Sequence, residues 1–312
     1  MDIEYLLLLQ NFRNAINDAL TPFMEMISLY AITFLCIVPA FVYWCVSKRM
    51  GLFTFTAWSL TTAFNATLKL TVCAYRPWIR DARILPAGDA IATAGGYSFP
   101  SGHTTTATPI YGSFAANLWK RMRIAAFICV AGILLTGFSR NYLGVHTPQD
   151  VLVGMMLSIC VLWSVAKLMR YFEAHPEKID VFLLYGIVIG VLMLLYITYK
   201  SYPMTYKDGQ LLVDPKKMMA DGYGDLGKMI GFFIGLYVER HWVKFRAPGA
   251  TKKGIFICLL GILTLSLVVA FVKPMMYTVF PRHWGKLAYN LVYHMYIVCG
   301  FPLVLKQFFG QE

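Results

Sequence analysis

Three short clusters carry residue types that a lipid-facing segment does not need: Lys69 with Arg76 and Pro77; Pro100, Ser101, Gly102 and His103; and Ser139, Arg140, His146 and Asp150. Together they supply what phosphoryl transfer asks of a protein. Lys69, Arg76 and Arg140 can neutralise phosphate oxygens, the two arginines with paired donors. The Ser101 hydroxyl, the Gly102 and His103 amides and the helix start beside them can add donors where charge builds up. His103 and His146 cover the two ends of an in-line displacement, one as nucleophile and one as acid. Each cluster alone also has a structural reading. Lys69 can snorkel from the end of a span, and residues 100–102 can form a plain turn. Thr147-Pro148-Gln149-Asp150 has the form of a helix start, with Thr147 as N-cap and Asp150 as the acid of a capping box. Only the conjunction points to chemistry.

In this order and spacing, K-x6-RP, PSGH and SR-x5-H-x3-D resemble the three-part signature of the type 2 phosphatidic acid phosphatase superfamily. That superfamily takes in lipid phosphate phosphatases, glucose-6-phosphatase and the vanadium haloperoxidases. The match covers residues 69–150 and says little about residues 180–312. The resemblance implies that His146 attacks phosphorus to form a phosphohistidine, with Asp150 orienting its ring. It implies that His103 protonates the departing alkoxide and then activates water, and that Lys69, Arg76, Ser101, Gly102 and Arg140 hold the phosphoryl oxygens. No cofactor is expected. No metal is expected either, because no carboxylate or thiolate set at ligand spacing accompanies the two histidines. Haloperoxidase chemistry belongs to soluble proteins, and the apolar composition of this chain argues against it.

The elements that must position these clusters are membrane helices. Of the 312 residues 58% are hydrophobic and 14% charged, with a mean hydropathy of +0.58; a water-soluble domain carries about 25% charged residues. Crossing the hydrocarbon takes roughly 20 apolar residues as helix, which predicts an all-α bundle of nine spans at about 24–47, 51–72, 103–119, 122–138, 149–171, 180–198, 225–243, 254–273 and 288–308. Residues 3–20 set Ile3, Leu6, Leu7, Phe12, Ile16 and Leu20 against Asn11, Arg13, Asn14 and Asp18, and predict an amphipathic helix on the membrane surface. The expected division is a surface helix over residues 1–23, a catalytic core over 24–198 and additional spans over 199–312.

The net charge of +12 does not indicate nucleic acid, because the basic residues fall in short clusters between apolar runs. Lys48-Arg49, Lys120 to Arg123, Lys167 to Lys178, Arg240 to Lys253 and Lys306 share one side of the predicted bundle. Such short basic loops read as cytoplasmic, facing anionic lipid. The other side carries longer loops with Asp81, Asp89, Asp208, Asp214, Asp221 and Asp225, so the N-terminus and the three clusters are expected outside the cytoplasm. The start of the chain lacks a basic n-region, which predicts no cleaved signal peptide. The ending FFGQE carries no organelle retrieval signal, and a bacterial plasma membrane is the expected location.

The seven cysteines form no CxxC pair and sit in or beside apolar runs, as small hydrophobes do. His175, His241, His283 and His294 are expected to be loop or packing residues. Gly227, Gly231 and Gly235 recur every four residues as a stripe for close helix packing. DGYGDLG, at 221–227, lacks the GK[ST] of a phosphate loop and reads as a turn with Asp225 capping the next span. Residues 78–99 are expected to form a lip over the pocket, with Trp78, Tyr97 and Phe99 as its apolar surface. The expected substrate is a phosphorylated lipid, with phosphatidic acid, phosphatidylglycerophosphate, an isoprenyl diphosphate and a sphingoid-base phosphate as candidates. Nine spans resemble glucose-6-phosphatase and sphingosine-phosphate phosphatases, which keeps a soluble phosphate ester open. The alternatives are a phosphotransferase acting between lipids and a phosphate-binding transporter or scaffold.

Overall fold

A computed structural model of the chain describes residues 2–207, 209–249 and 251–309. Asp208 and the final GQE therefore lie outside the described residues. The helices are α1 (Asp2–Ala15), α2 (Thr21–Val46), α3 (Lys48–Val72), α4 (Gly102–Leu118), α5 (Arg123–Tyr142), α6 (Pro148–Ala174), α7 (Pro176–Tyr199), α8 (Pro215–Val238), α9 (Lys252–Val279) and α10 (Arg282–Gln307). A two-stranded hairpin, β1 (Tyr206–Lys207) with β2 (Gln210–Leu211), follows α7. Six of these helices, α2, α5, α6, α7, α9 and α10, are long and apolar enough to cross a bilayer. The protein is thus a multi-pass membrane protein.

Three of the nine predicted spans fall on helices without that apolar signature, and burial explains the difference. Buried residues make up 14 of 25 in α3, 10 of 17 in α4 and 15 of 24 in α8. A helix walled in by other helices meets protein rather than lipid, so its polar groups can be satisfied locally. In α3 the hydroxyls of Thr54, Thr56, Ser59 and Thr67 turn back on carbonyls four residues earlier. Thr54 also meets Ser113 of α4 at 2.7 Å. Between helices in lipid, such bonds contribute roughly 0.6–1.7 kcal/mol each, alongside close packing. The largest core cluster gathers Tyr43, Trp44, Phe55, Trp58, Phe232 and Phe301. There Tyr43 and Trp44 donate to the Val298 and Ile297 carbonyls at 3.0 and 2.8 Å.

The two ends of the bundle differ in charge. At one end Arg49 pairs with Glu173, Lys48 with Glu239 at 2.6 Å and Arg240 with Asp180 at 3.2 Å, while Lys306 donates to the Val243 carbonyl. The short basic loops therefore meet one another. Lys69, Arg76, His103 and His146 gather at the other end, where α3 finishes and α4 and α6 begin.

The N-terminal helix is shorter than the predicted 3–20 and ends at Ala15, with Asn17 and Asp18 in left-handed conformations beyond it. Arg13, assigned to the polar face by its type, is only 4% exposed. It caps loops at the end opposite the basic loops, donating to the Leu85 carbonyl at 2.7 Å and the Tyr142 carbonyl at 3.1 Å.

DGYGDLG is not a turn. Helix α8 starts at the N-cap Asp214, whose carboxylate accepts from the Lys216 amide at 2.9 Å, and runs unbroken through the glycines. Glycine in a helix costs about 1 kcal/mol, which close packing offsets here. A Cβ at Gly222 would press on Leu70 of α3, and at Gly227 and Gly231 it would strike the Leu287 and Leu291 carbonyl oxygens of α10.

Candidate active site

Local sequence fixes the frame of the site. Ser101 caps α4, its hydroxyl accepting from the Thr104 amide at 3.4 Å. Thr147 and Asp150 form a complete capping box at the start of α6, with Pro148 in the first turn. The two helix starts are tied together by the Ser101 amide, which donates to the Asp150 carbonyl at 2.9 Å. At Gly154 a Cβ would sit 3.3–3.4 Å from Thr105 and Ser101, so that glycine brings α6 close against α4.

Within this frame His146 is held from both ring nitrogens. Its Nδ1 lies 3.2 Å from Asp150 Oδ2 and its Nε2 2.8 Å from Arg76 Nη1. A guanidinium only donates and a carboxylate only accepts, so the ring carries its proton on Nδ1 and a lone pair on Nε2. Asp150 Oδ2 also receives the Thr147 amide at 2.8 Å and the Ser98 hydroxyl at 2.5 Å. Burial, reinforced by the charges of Arg76, Arg140 and Lys69, holds the His146 pKa well below the usual histidine range. The imidazole is therefore neutral at physiological pH.

Arg76 anchors the loops around it, donating from Nε to the Gly96 carbonyl at 3.1 Å, from Nη2 to Gly95 at 3.2 Å and from Nη1 to Val145 at 2.9 Å. Burial lowers its pKa to about 10, which leaves it cationic at neutral pH. Lys69 reaches the carbonyls of Tyr97, Ser98 and Pro100 at 3.2, 3.2 and 2.6 Å. All three of its N–H donors thus serve the loop that leads into α4.

A cavity of about 170 Å³ opens between these groups. Lys69, Arg76, Gly102, His103 and His146 line it, together with Asn65, Thr93, Gly95, Met218, Asp221 and Asp225. His103 Nε2 is buried without a hydrogen-bond partner among the described residues, and a Cβ at Gly102 would meet nothing within 4 Å. The space beside Gly102 is therefore open. A larger cavity, about 470 Å³, lies at the basic end among Leu52, Val165, Phe172 and Leu236. It holds none of the three clusters.

The predicted residues do not all reach the cavity wall. Arg140 is fully buried behind it, with Nη1 on the Ser28 hydroxyl and with Nε and Nη2 unpartnered among the described residues. Its charge still acts on His146. Ser101 is likewise buried, and its hydroxyl serves the helix cap. The lip differs from expectation too: Thr93 and Gly95 line the cavity, whereas Tyr97 is fully buried beneath the loop. Among the described residues no group of three His, Cys, Asp or Glu is placed to hold a metal.

Sequence reasoning missed four contributors. Ser98, next to the PSGH cluster, reads as loop filler until its bond to Asp150 is seen. Asn65 precedes Lys69 by one helical turn, a spacing that puts both on one face of α3. Asp221 and Asp225 share the same i, i+4 relation on α8, although in the sequence they read as part of a turn.

All three clusters lie in a stretch that is similar to known proteins. Residues 50–174 match the sequence model of the PAP2 superfamily. The chain is similar to phosphatidylglycerophosphatase B of Bacillus subtilis, 33% identical over 97 residues that cover 29% of this chain and 47% of that protein. It is similar to lipid A 1-phosphatase of Rhizobium etli, 40% identical over 58 residues, covering 19% and 23%. It is also similar to undecaprenyl-diphosphatase BcrC of Bacillus subtilis, 42% identical over 64 residues, covering 20% and 31%. The chain thus spans between about a quarter and a half of the length of these relatives. No solved structure gives a significant match.

Proposed function

We propose, from the premise that residues 50–174 are a PAP2 superfamily domain, that this protein is an integral membrane phosphatase hydrolysing a lipid phosphate ester by way of a phosphohistidine. The observation that carries the reading is the placement of His146, with Nε2 on Arg76 and Nδ1 on Asp150, in one cavity with His103. The names of the three relatives, all lipid phosphatases, favour a lipid substrate.

In the first step Arg76 turns its Nη1 from His146 to the phosphoryl oxygens, and the freed Nε2 attacks phosphorus. The P–O bond to the lipid breaks on the opposite side, and His103 gives its proton to the departing alkoxide. The phosphorylated imidazole keeps its Nδ1 proton on Asp150, which stabilises the charge that the ring gains. In the second step His103 takes a proton from water, the hydroxide attacks phosphorus, and inorganic phosphate leaves with Nε2 restored. Arg76, Lys69, Arg140, the Gly102 amide and the Ser101-capped start of α4 supply positive potential at the phosphoryl group. General acid–base assistance of this kind contributes about 10²–10⁴-fold. No metal takes part.

Orientation follows from charge. The basic loops at the end remote from the cavity favour the cytoplasm, which supports a cavity at the extracytoplasmic face. With α3, α4 and α8 counted as spans enclosed by the other six, the chain crosses nine times. A lipid phosphate of the outer leaflet then reaches the cavity without leaving the membrane. A bacterial plasma membrane fits the sources of the relatives.

The test is phosphate release from lipid phosphates by the purified protein in detergent with EDTA present, beside His146→Ala. Turnover by the parent, loss in the variant and inhibition by vanadate support the reading. Release that needs an added divalent cation, or a second lipid as acceptor, contradicts it.

A further inference from the structure

The cavity wall outside the ring of cations is built of hydrogen-bond acceptors, and part of it comes from beyond the PAP2 domain. Asp221 and Asp225 stand one turn apart on α8 and both line the cavity. Asn65, 5% exposed, faces the same space from α3, and its Oδ1 has no partner among the described residues. A buried acceptor left without a donor is destabilising. Such a group is expected where a ligand supplies the donor.

The carboxylates are not free charges. Lys286 of α10 pairs with Asp221 Oδ1, and Lys228 pairs with Asp225 Oδ1 at 2.8 Å. Among the described residues no group donates to either Oδ2. With their charge offset by lysines, the two acids offer acceptor oxygens more than a cation trap. They also cannot serve phosphoryl oxygens, because a carboxylate only accepts and so do those oxygens. The phosphate therefore sits against Arg76 and His146, and the acceptors face what is attached to it.

We propose that Asn65, Asp221 and Asp225 form a leaving-group subsite that receives hydroxyl donors, so that the enzyme prefers a lipid phosphate whose alcohol is a polyol, of glycerol or sugar type. An alcohol with no free hydroxyl leaves the three acceptors unsatisfied, and a diphosphate sets its second phosphate against two carboxylates. The proposal rests on the reading of the cavity as a phosphatase site, and it assigns to α8 a part in substrate choice.

The test compares kcat/KM of the purified protein in mixed micelles on three phosphomonoesters: phosphatidylglycerophosphate, a lipid-linked hexose phosphate, and phosphatidic acid, whose diacylglycerol leaving group has no free hydroxyl. The parent is expected to favour a polyol ester over phosphatidic acid by about tenfold or more, one hydrogen bond of roughly 1.4 kcal/mol being a factor of ten. Whichever polyol ester is faster identifies the source. Asn65→Leu and, separately, Asp225→Asn are expected to lower the ratio of polyol ester to phosphatidic acid about tenfold. Turnover of phosphatidic acid reports that each variant is folded. Equal kcat/KM on all three esters by the parent, or equal loss on all three in both variants, overturns the subsite. Absence of turnover on every ester would instead sink the phosphatase reading itself.

Discussion

Ser98 donates to Asp150 Oδ2 at 2.5 Å, the same oxygen that stands 3.2 Å from His146 Nδ1. A hydroxyl in the loop before α4 thus helps to hold the carboxylate that faces the His146 ring. Ser98 is 2% exposed and does not line the cavity. Its effect passes through Asp150, which makes it a positioning residue. Ser98→Ala is expected to lower kcat by about tenfold, the worth of one charge-assisted bond of roughly 1.5 kcal/mol, with KM little changed. Steady-state kinetics on a lipid phosphate checks this, and Ser98→Thr is expected to recover part of the loss.

The four contacts of Arg76 use the width of the guanidinium, reaching three carbonyls and His146 at once. A lysine ammonium cannot span them. Arg76→Lys is therefore expected to lose about 10²–10³ in kcat/KM despite its conserved charge, a loss of the size seen when one transition-state donor is removed.

Much of the cavity end was legible because its signals are local. Thr147, Pro148 and Asp150 announce a helix start within four residues, and the capping box forms as written. Ser101 likewise caps α4. What stayed hidden depends on docking between distant segments. Asp221 and Asp225 lie next to glycines and read as a turn, although Asp214-Pro215 already carried the cap and first-turn proline of a helix. Arg13 reads as polar surface, and its burial is set by carbonyls 72 and 129 residues away. The enclosure of α3, α4 and α8 has no local signature either. A Thr-rich run such as residues 104–108 shows only low hydropathy until its neighbours are known.

Acid should destabilise the protein through His146. Its folded pKa lies below that of the unfolded chain, so the unfolded state binds the extra proton. Stability is then full above about pH 6.5, the ordinary histidine value, and falls as the pH drops below it, by up to about 1.4 kcal/mol per pH unit for this one group. Thermal unfolding in detergent from pH 7.5 to 5 is expected to show a smaller decline for His146→Asn than for the parent. Parallel declines would remove His146 as the cause.

The α8–α10 pair is expected to tolerate no side chain at its closest point. A Cβ at Gly231 would strike the Leu291 carbonyl, and overpacking of this kind costs about 1–3 kcal/mol. Gly231→Ala should lower the unfolding temperature measurably.

The central claim is that His146 carries the phosphoryl group. A 32P-labelled aryl phosphate tests it directly, because an aryl oxide leaves without help from an acid. In His103→Ala the first step then proceeds while the water step lacks its base, so label is expected to accumulate as an acid-labile, alkali-stable phosphoprotein that peptide mapping assigns to His146. The label should be absent from His146→Ala. Turnover in His146→Ala comparable to the parent, or label on any other residue, would contradict the account.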